Sequence, residues 1–162
     1  MKIAKIFAGL VLVGSLAACE KEYESENLPN YEMSGQWYVQ TYFDTPDPAN
    51  VVLGYVEITT SNTAAANGNE ILIDDKGNIW PFKVKCPATS GDLTFGGTNL
   101  INISDSTVTV NITGGKIFPD GGKSTSGIVV DSIYMEAEFS DDPGNTYIFA
   151  GHYRTGFIED EH

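Results

Sequence analysis

The sequence predicts an all-β domain, an antiparallel barrel or sandwich of about eight short strands. Three observations carry that prediction. Apolar and polar residues alternate with a period of two over most of the chain after Gly35, clusters of turn-forming residues interrupt the alternation at short intervals, and no stretch shows the apolar period of an amphipathic helix. Alternation on one face suits antiparallel strands with one side buried, and closure into an up-and-down barrel removes the exposed edges that such strands would leave.

The elements follow in order. In 36–43, Trp37, Val39, Thr41 and Phe43 share one face and Gln36, Tyr38, Gln40 and Tyr42 the other. In 51–60, Val52, Val56 and Ile58 alternate with Tyr55, Glu57 and Thr59. Strands at 70–75 and 79–86 flank Asp74-Asp75-Lys76-Gly77-Asn78, a hairpin signal. Trp80, Phe82, Val84 and Cys86 then face one way, with a bulge or strand start expected at Pro81, which has no N–H to donate. Runs at 93–95 and 99–103 read as one irregular strand. Val108, Val110 and Ile112 alternate in 106–113, and Ile133, Met135, Ala137 and Phe139 in 131–140. The last strand, 145–155, puts Tyr147, Phe149 and Tyr153 on one face and Ile148 and Ala150 on the other, so both sides are candidates for burial.

Ahead of the domain lies an export signal. Lys2 and Lys5 precede an uncharged, mostly apolar run from Ile6 to Leu16, which is too short for a bilayer-spanning helix of about 20 residues. Leu16-Ala17-Ala18-Cys19 matches a lipobox, where acyl chains are attached to the thiol and the chain is cut before the cysteine. Several acyl chains at ~0.8 kcal/mol per buried methylene would anchor the protein to a membrane through Cys19. Residues 1–18 are then the signal, 19–32 the lipidated cysteine with an acidic tether, and 33–162 the domain. An acidic stretch directly after a lipidated cysteine leaves two readings open, a surface-export signal or a solvated linker. The expected location is the outer membrane, on its periplasmic or cell-surface face.

Loss of residues 1–18 leaves 7 basic against 22 acidic residues, a net charge of −15. That balance repels phosphate backbones and argues against nucleic-acid binding. With Cys19 acylated, Cys86 has no partner for a disulfide and reads as a small buried hydrophobe. No Cys/His spacing suits zinc, and no motif implies a cofactor. A catalytic triad needs a nucleophile, a base and a group to orient the base. Only His152 and His162 offer imidazoles, and His162, as the last residue given, is expected to fray. Glu136 and Glu138 lie on one strand face, read as a solvated outer surface rather than a carboxylate pair. Gly121-Gly122-Lys123-Ser124 lacks the first glycine of a phosphate loop and reads as a plain loop. Asp74, Asp75 and Asn78, and Asp141, Asp142 and Asn145, lack calcium-loop spacing and read as turn chemistry.

Gly35-Gln36-Trp37-Tyr38, Asp131-Ser132-Ile133-Tyr134-Met135-Glu136 and Gly151-His152-Tyr153-Arg154-Thr155-Gly156-Phe157, behind a lipobox and acidic tether, resemble the "lipid-binding putative hydrolase" family of Gram-negative lipoproteins over about residues 33–160. The resemblance implies a calycin-like (lipocalin-like) barrel. Gly35, Trp37 and Arg154 also look like the calycin signature, in which an arginine packs across the tryptophan at the closed end. On this reading a small apolar or lipid-like ligand occupies the interior, with Val39, Phe43, Val56, Phe82, Val110, Met135 and Phe139 as lining. The alternatives are a barrel filled by its own side chains, serving as an accessory subunit of an envelope complex, and a hydrolase of lipid-like esters.

Overall fold

The structure is a computed structural model and describes residues 28–162. The signal, Cys19 and the tether up to residue 27 lie outside the described residues. Eight strands follow: β1 (Gly35–Phe43), β2 (Val51–Asn62), β3 (Glu70–Asp74), β4 (Lys83–Thr89), β5 (Thr94–Ile101), β6 (Thr109–Lys123), β7 (Val129–Phe139) and β8 (Tyr147–Tyr153). Each pairs antiparallel with its neighbour in sequence, and β1 pairs with β8 to close the barrel. Of the barrel and the sandwich that the alternation allows, the chain forms the up-and-down barrel.

The inward rows form the core. Trp37 and Val39 of β1, Ile71 and Ile73 of β3, Val84 and Cys86 of β4, Val110 and Ile112 of β6, Ile133, Met135, Ala137 and Phe139 of β7, and Phe149 of β8 are all buried. Each buried aliphatic or aromatic side chain contributes roughly 1.5–3 kcal/mol relative to exposure. Burial pushes the Cys86 thiol up to about 12, so it stays a neutral packing group.

Two segments differ from the sequence expectation. Residues 79–82 are not strand. Asp75 is buried, and its carboxylate accepts N–H groups of Gly77 (2.8 Å), Ile79 (3.0 Å) and Phe82 (3.0 Å), which folds residues 75–82 into a loop across one end of the barrel. Buried Asn102 holds the same loop, donating to the Pro81 carbonyl at 3.0 Å and accepting from Lys83 N–H at 3.0 Å. The second difference is at 121–124, where Gly121, Gly122 and Lys123 are the end of β6 rather than loop; Gly122 pairs with Val130 and Lys123 with Val129. The run read over 106–113 also extends further: β6 continues past residue 113 through a bulge at Gly114-Gly115. A Cβ at Gly115 would lie 2.3 Å from the Phe95 carbonyl oxygen, so only glycine permits that strand approach.

The two ends are closed differently. At the far end Trp80 stacks on Phe139 (5.2 Å between centroids) and Phe82 meets Phe139 edge-on (5.6 Å). At the near end, where the chain enters, one 3-10 turn at Tyr31–Met33 drops Met33 into the core. Thr60 Oγ1 donates to the Met33 carbonyl at 2.6 Å and accepts the Trp37 indole N–H at 2.8 Å, tying that turn to the barrel. Asn30 is 1% exposed and donates to the Glu70 carbonyl, so the folded part begins before residue 33.

Candidate ligand-binding site

The near end carries a cleft of about 440 Å³ lined by Tyr31, Glu32, Ser34, Trp37, Leu93, Pro119, Asp131 and Tyr153. Strand phase explains why these residues meet. Asp131 is in phase with Ile133 and Met135 on β7, Pro119 with Ile117 on β6, and Tyr153 with Phe149 on β8, so each is the next inward position past the last core layer. Leu93, directly before β5, is in phase with buried Phe95. The cleft is therefore the mouth of the barrel, with Trp37 as its floor and the Tyr31–Met33 turn along one side. Gly35 serves it directly: the Tyr153 ring lies over this glycine, where a Cβ would come within 2.5 Å of Cε2. Tyr153 also meets Trp37 edge-on at 5.3 Å.

Both carboxylates of the mouth are available for contact. Asp131 uses Oδ1 to accept the Asp120 N–H at 2.9 Å, and Glu32 is exposed. The eight lining residues include no basic side chain.

A profile of the family described as "Lipid-binding putative hydrolase" matches residues 22–158. The chain belongs to this family. No curated protein matches the chain. Within this family member, the interior differs from the expected open pocket. Val39, Phe82, Val110 and Met135 have no exposed surface and Phe139 has 1%. A side chain facing a void large enough for water would not be fully buried, so these five pack against neighbours on every side. Phe82, Phe139 and Phe149 fill the interior with edge-on contacts at 5.6 and 5.8 Å. Val56 is half-buried, and Phe43 is 41% exposed at the far rim, against Tyr147 at 5.8 Å. The filled barrel, one of the two alternatives to an open interior, is what these residues build.

The calycin arginine contact is also corrected. Arg154 is out of phase with Phe149 and Tyr153, so it projects from the outer face. Its guanidinium lies over the Tyr38 ring at 5.9 Å and donates to Tyr38 Oη (3.0 Å), Gln36 Oε1 (2.9 Å) and Glu161 Oε1 (2.5 Å). The ring packed on Trp37 is Tyr153 instead.

Arg154 is part of a strap formed by the residues after β8. His162 does not fray: it stacks on Tyr55 at 4.0 Å and meets Tyr38 edge-on at 4.8 Å. His152 Nδ1 lies 3.1 Å from the Tyr153 carbonyl, which can only accept, so Nδ1 carries the hydrogen and Nε2 is the acceptor for His162 Nε2–H at 3.1 Å. Asp160 is buried there, accepting from Ser126 N–H (2.7 Å) and Thr155 O–H (2.7 Å). Burial raises its pKa, but those donors outweigh burial and hold it at about 2. Thr125 Oγ1 is 3.3 Å from His162 Nε2, the nitrogen already engaged with His152. Two of the strap's carboxylates are bound elsewhere, Asp160 as above and Glu161 to Tyr38 and Arg154. This arrangement latches the strap and leaves no imidazole in the geometry of an oriented general base.

Glu136 accepts from the Tyr134 hydroxyl at 2.7 Å on the outer face. Asp142 accepts from Asn145 (2.8 Å) and the Tyr147 hydroxyl (2.6 Å), which is turn chemistry. Among the described residues no group of three or more His, Cys, Asp or Glu side chains is placed to hold a metal.

Proposed function

We propose that this chain is an exported lipoprotein, anchored in the outer membrane through acyl chains on Cys19, that binds a lipid-like ligand at the near-end mouth of its barrel. One observation carries the choice of site: the inward rows of β1, β6, β7 and β8 run past a filled core into an aromatic-walled cleft of about 440 Å³. That volume falls within the range of small-molecule sites, about 300–1,000 Å³. Family membership supports a lipid-like ligand, and the lipobox supports the anchor. The mouth opens at the end where the tether from Cys19 joins the barrel.

The test is uptake of a neutral dodecyl-chain fluorophore by the full mature chain, with mass spectrometry of its N-terminus to establish the acyl anchor. Leu93→Trp, which enlarges a mouth residue, is expected to weaken uptake at least ten-fold. Ile101→Trp, at the exposed far end of β5, is expected to leave it unchanged. Uptake insensitive to Leu93→Trp would place the ligand elsewhere.

The filled interior favours one second reading, a ligand-free accessory subunit of an envelope complex. Native mass spectrometry showing the bare chain, together with no fluorophore uptake, would select it.

A further inference from the structure

We infer that the mouth receives the head group of an amphiphile bearing an ammonium cation. The inference rests on the lipid-like reading above and adds the chemistry of the head group.

Three aromatic residues surround the cleft. Trp37 lies buried beneath it, and the rings of Tyr153 (38% exposed) and Tyr31 (67% exposed) stand open at its sides. The two exposed rings are within reach of a group that enters the concavity, and an aromatic face attracts positive charge. Glu32 and Asp131 add two carboxylates to the same lining, and among the described residues neither is paired with a lysine or arginine. Asp131, half-buried, continues the inward row that is apolar from Ile133 to Phe139, so its carboxylate faces the mouth. Among the described residues only its Oδ1 is held, by the Asp120 N–H, which leaves Oδ2 to meet a cation. An anionic head group would meet two like charges and no donor of positive charge. An ammonium group satisfies the carboxylates by charge and the rings by cation–π attraction, both of which strengthen as the head group is desolvated. The aliphatic part would lie against Leu93 and Pro119.

The test is calorimetric titration of the full mature lipoprotein, held in uncharged nanodiscs, with three soluble six-carbon probes: hexyltrimethylammonium, hexyl sulfate and hexyl glucoside. Hexyltrimethylammonium is expected to bind at least ten-fold more tightly than the other two. Asp131→Asn, which keeps the acceptor for Asp120 N–H, and Glu32→Gln, at an exposed position, are each expected to weaken it about ten-fold. Asp44→Asn and Asp141→Asn, both at the far end, are expected to leave it unchanged. Equal or tighter binding of the glucoside or the sulfate would overturn the cation while leaving the lipid-like reading standing. Binding of none of the three, with no uptake of the dodecyl fluorophore, would remove the lipid-like reading itself. Equal loss in the far-end variants would reduce the effect to diffuse attraction by a protein of net charge −15, and a saturable calcium heat abolished by Asp131→Asn would replace the organic cation with a metal ion.

Discussion

The two ends of the barrel solve one problem in opposite ways. Both present inward rows that stop short of a partner layer. The far end is sealed by an eight-residue loop whose polar groups are satisfied from within, because Asp75 and Asn102 take up its N–H and C=O groups while Trp80 and Phe82 cover the core. The near end receives a single turn, held by the Trp37–Thr60–Met33 relay, and its outermost inward residues remain in contact with solvent. Sealing an end requires apolar cover and backbone satisfaction together. Where only the first turn of cover is supplied, a cleft remains.

The sharpest way to break this comparison is to remove the aromatic anchor of each end. Phe82→Ala and Trp37→Ala are each expected to cost about 3–5 kcal/mol, because each empties a fully packed position. Urea unfolding of the two variants should show similar losses, yet only Trp37→Ala should also weaken ligand uptake at the mouth. Next in size is Asp75→Ala, which leaves three N–H groups without their acceptor, that of Phe82 in a buried setting and those of Gly77 and Ile79 in a partly buried one. A loss on the order of 3 kcal/mol is expected, with faster amide exchange at Gly77, Ile79 and Phe82 and unchanged uptake. If those amides exchange no faster, the loop is not held by Asp75.

Thr60→Val sharpens the comparison from the near end. The Trp37 indole N–H and the Met33 carbonyl both lose their partner in a buried setting, at a cost of about 1–3 kcal/mol. Uptake should change along with stability, since the turn that borders the mouth is loosened. Stability lost with uptake intact would separate that turn from the site.

The smallest effect concerns the strap. Burial and the adjacent His152 hold the His162 pKa below 6.5, outweighing the pull of Asp160 and Glu161 in the other direction. The side chains facing it are Tyr38, Tyr55, His152 and Thr125. Because the released strap binds the proton more readily than the docked one, docking is at full strength above pH 6.5 and weakens as pH falls from 6.5 toward the lowered value. Histidine NMR should show His162 titrating below 6.5, with amide exchange at Ser126 rising over that window while barrel amides stay protected. Titration at or above 6.5 would contradict the docked geometry.

Much of the fold was legible because a period of two has few other interpretations. The rows Trp37–Val39–Thr41 and Ile133–Met135–Ala137–Phe139 are inward as the alternation indicates. What misled was local chemistry acting at a distance. Trp80 and Phe82 fit the phase of a strand, but Asp75 captures the N–H groups of Ile79 and Phe82, so that segment folds over the end instead. The run read over 106–113 continues to Lys123 because Gly115 admits Phe95 against its backbone. The site was legible only in part. A signal was present, since Asp131 and Tyr153 extend two apolar inward rows, and a charge on such a row marks either a rim or a site. The apolar interior drew attention from it, because side-chain size alone does not show whether seven bulky residues line a space or fill it.

Sequence by itself determined the all-β antiparallel class, most of the inward rows, the net negative charge and the turn chemistry, since each depends on residue type and spacing along a few neighbouring positions. The tertiary structure alone decided that the interior is filled, that Arg154 meets Tyr38 rather than Trp37, that the last residues dock as a strap, and that three strands and the entry turn deliver aromatic and acidic side chains to one mouth. Those outcomes depend on which residues meet around a closed sheet, where a shift of one position reverses a side chain's face and where packed volume, rather than pattern, decides what space is left.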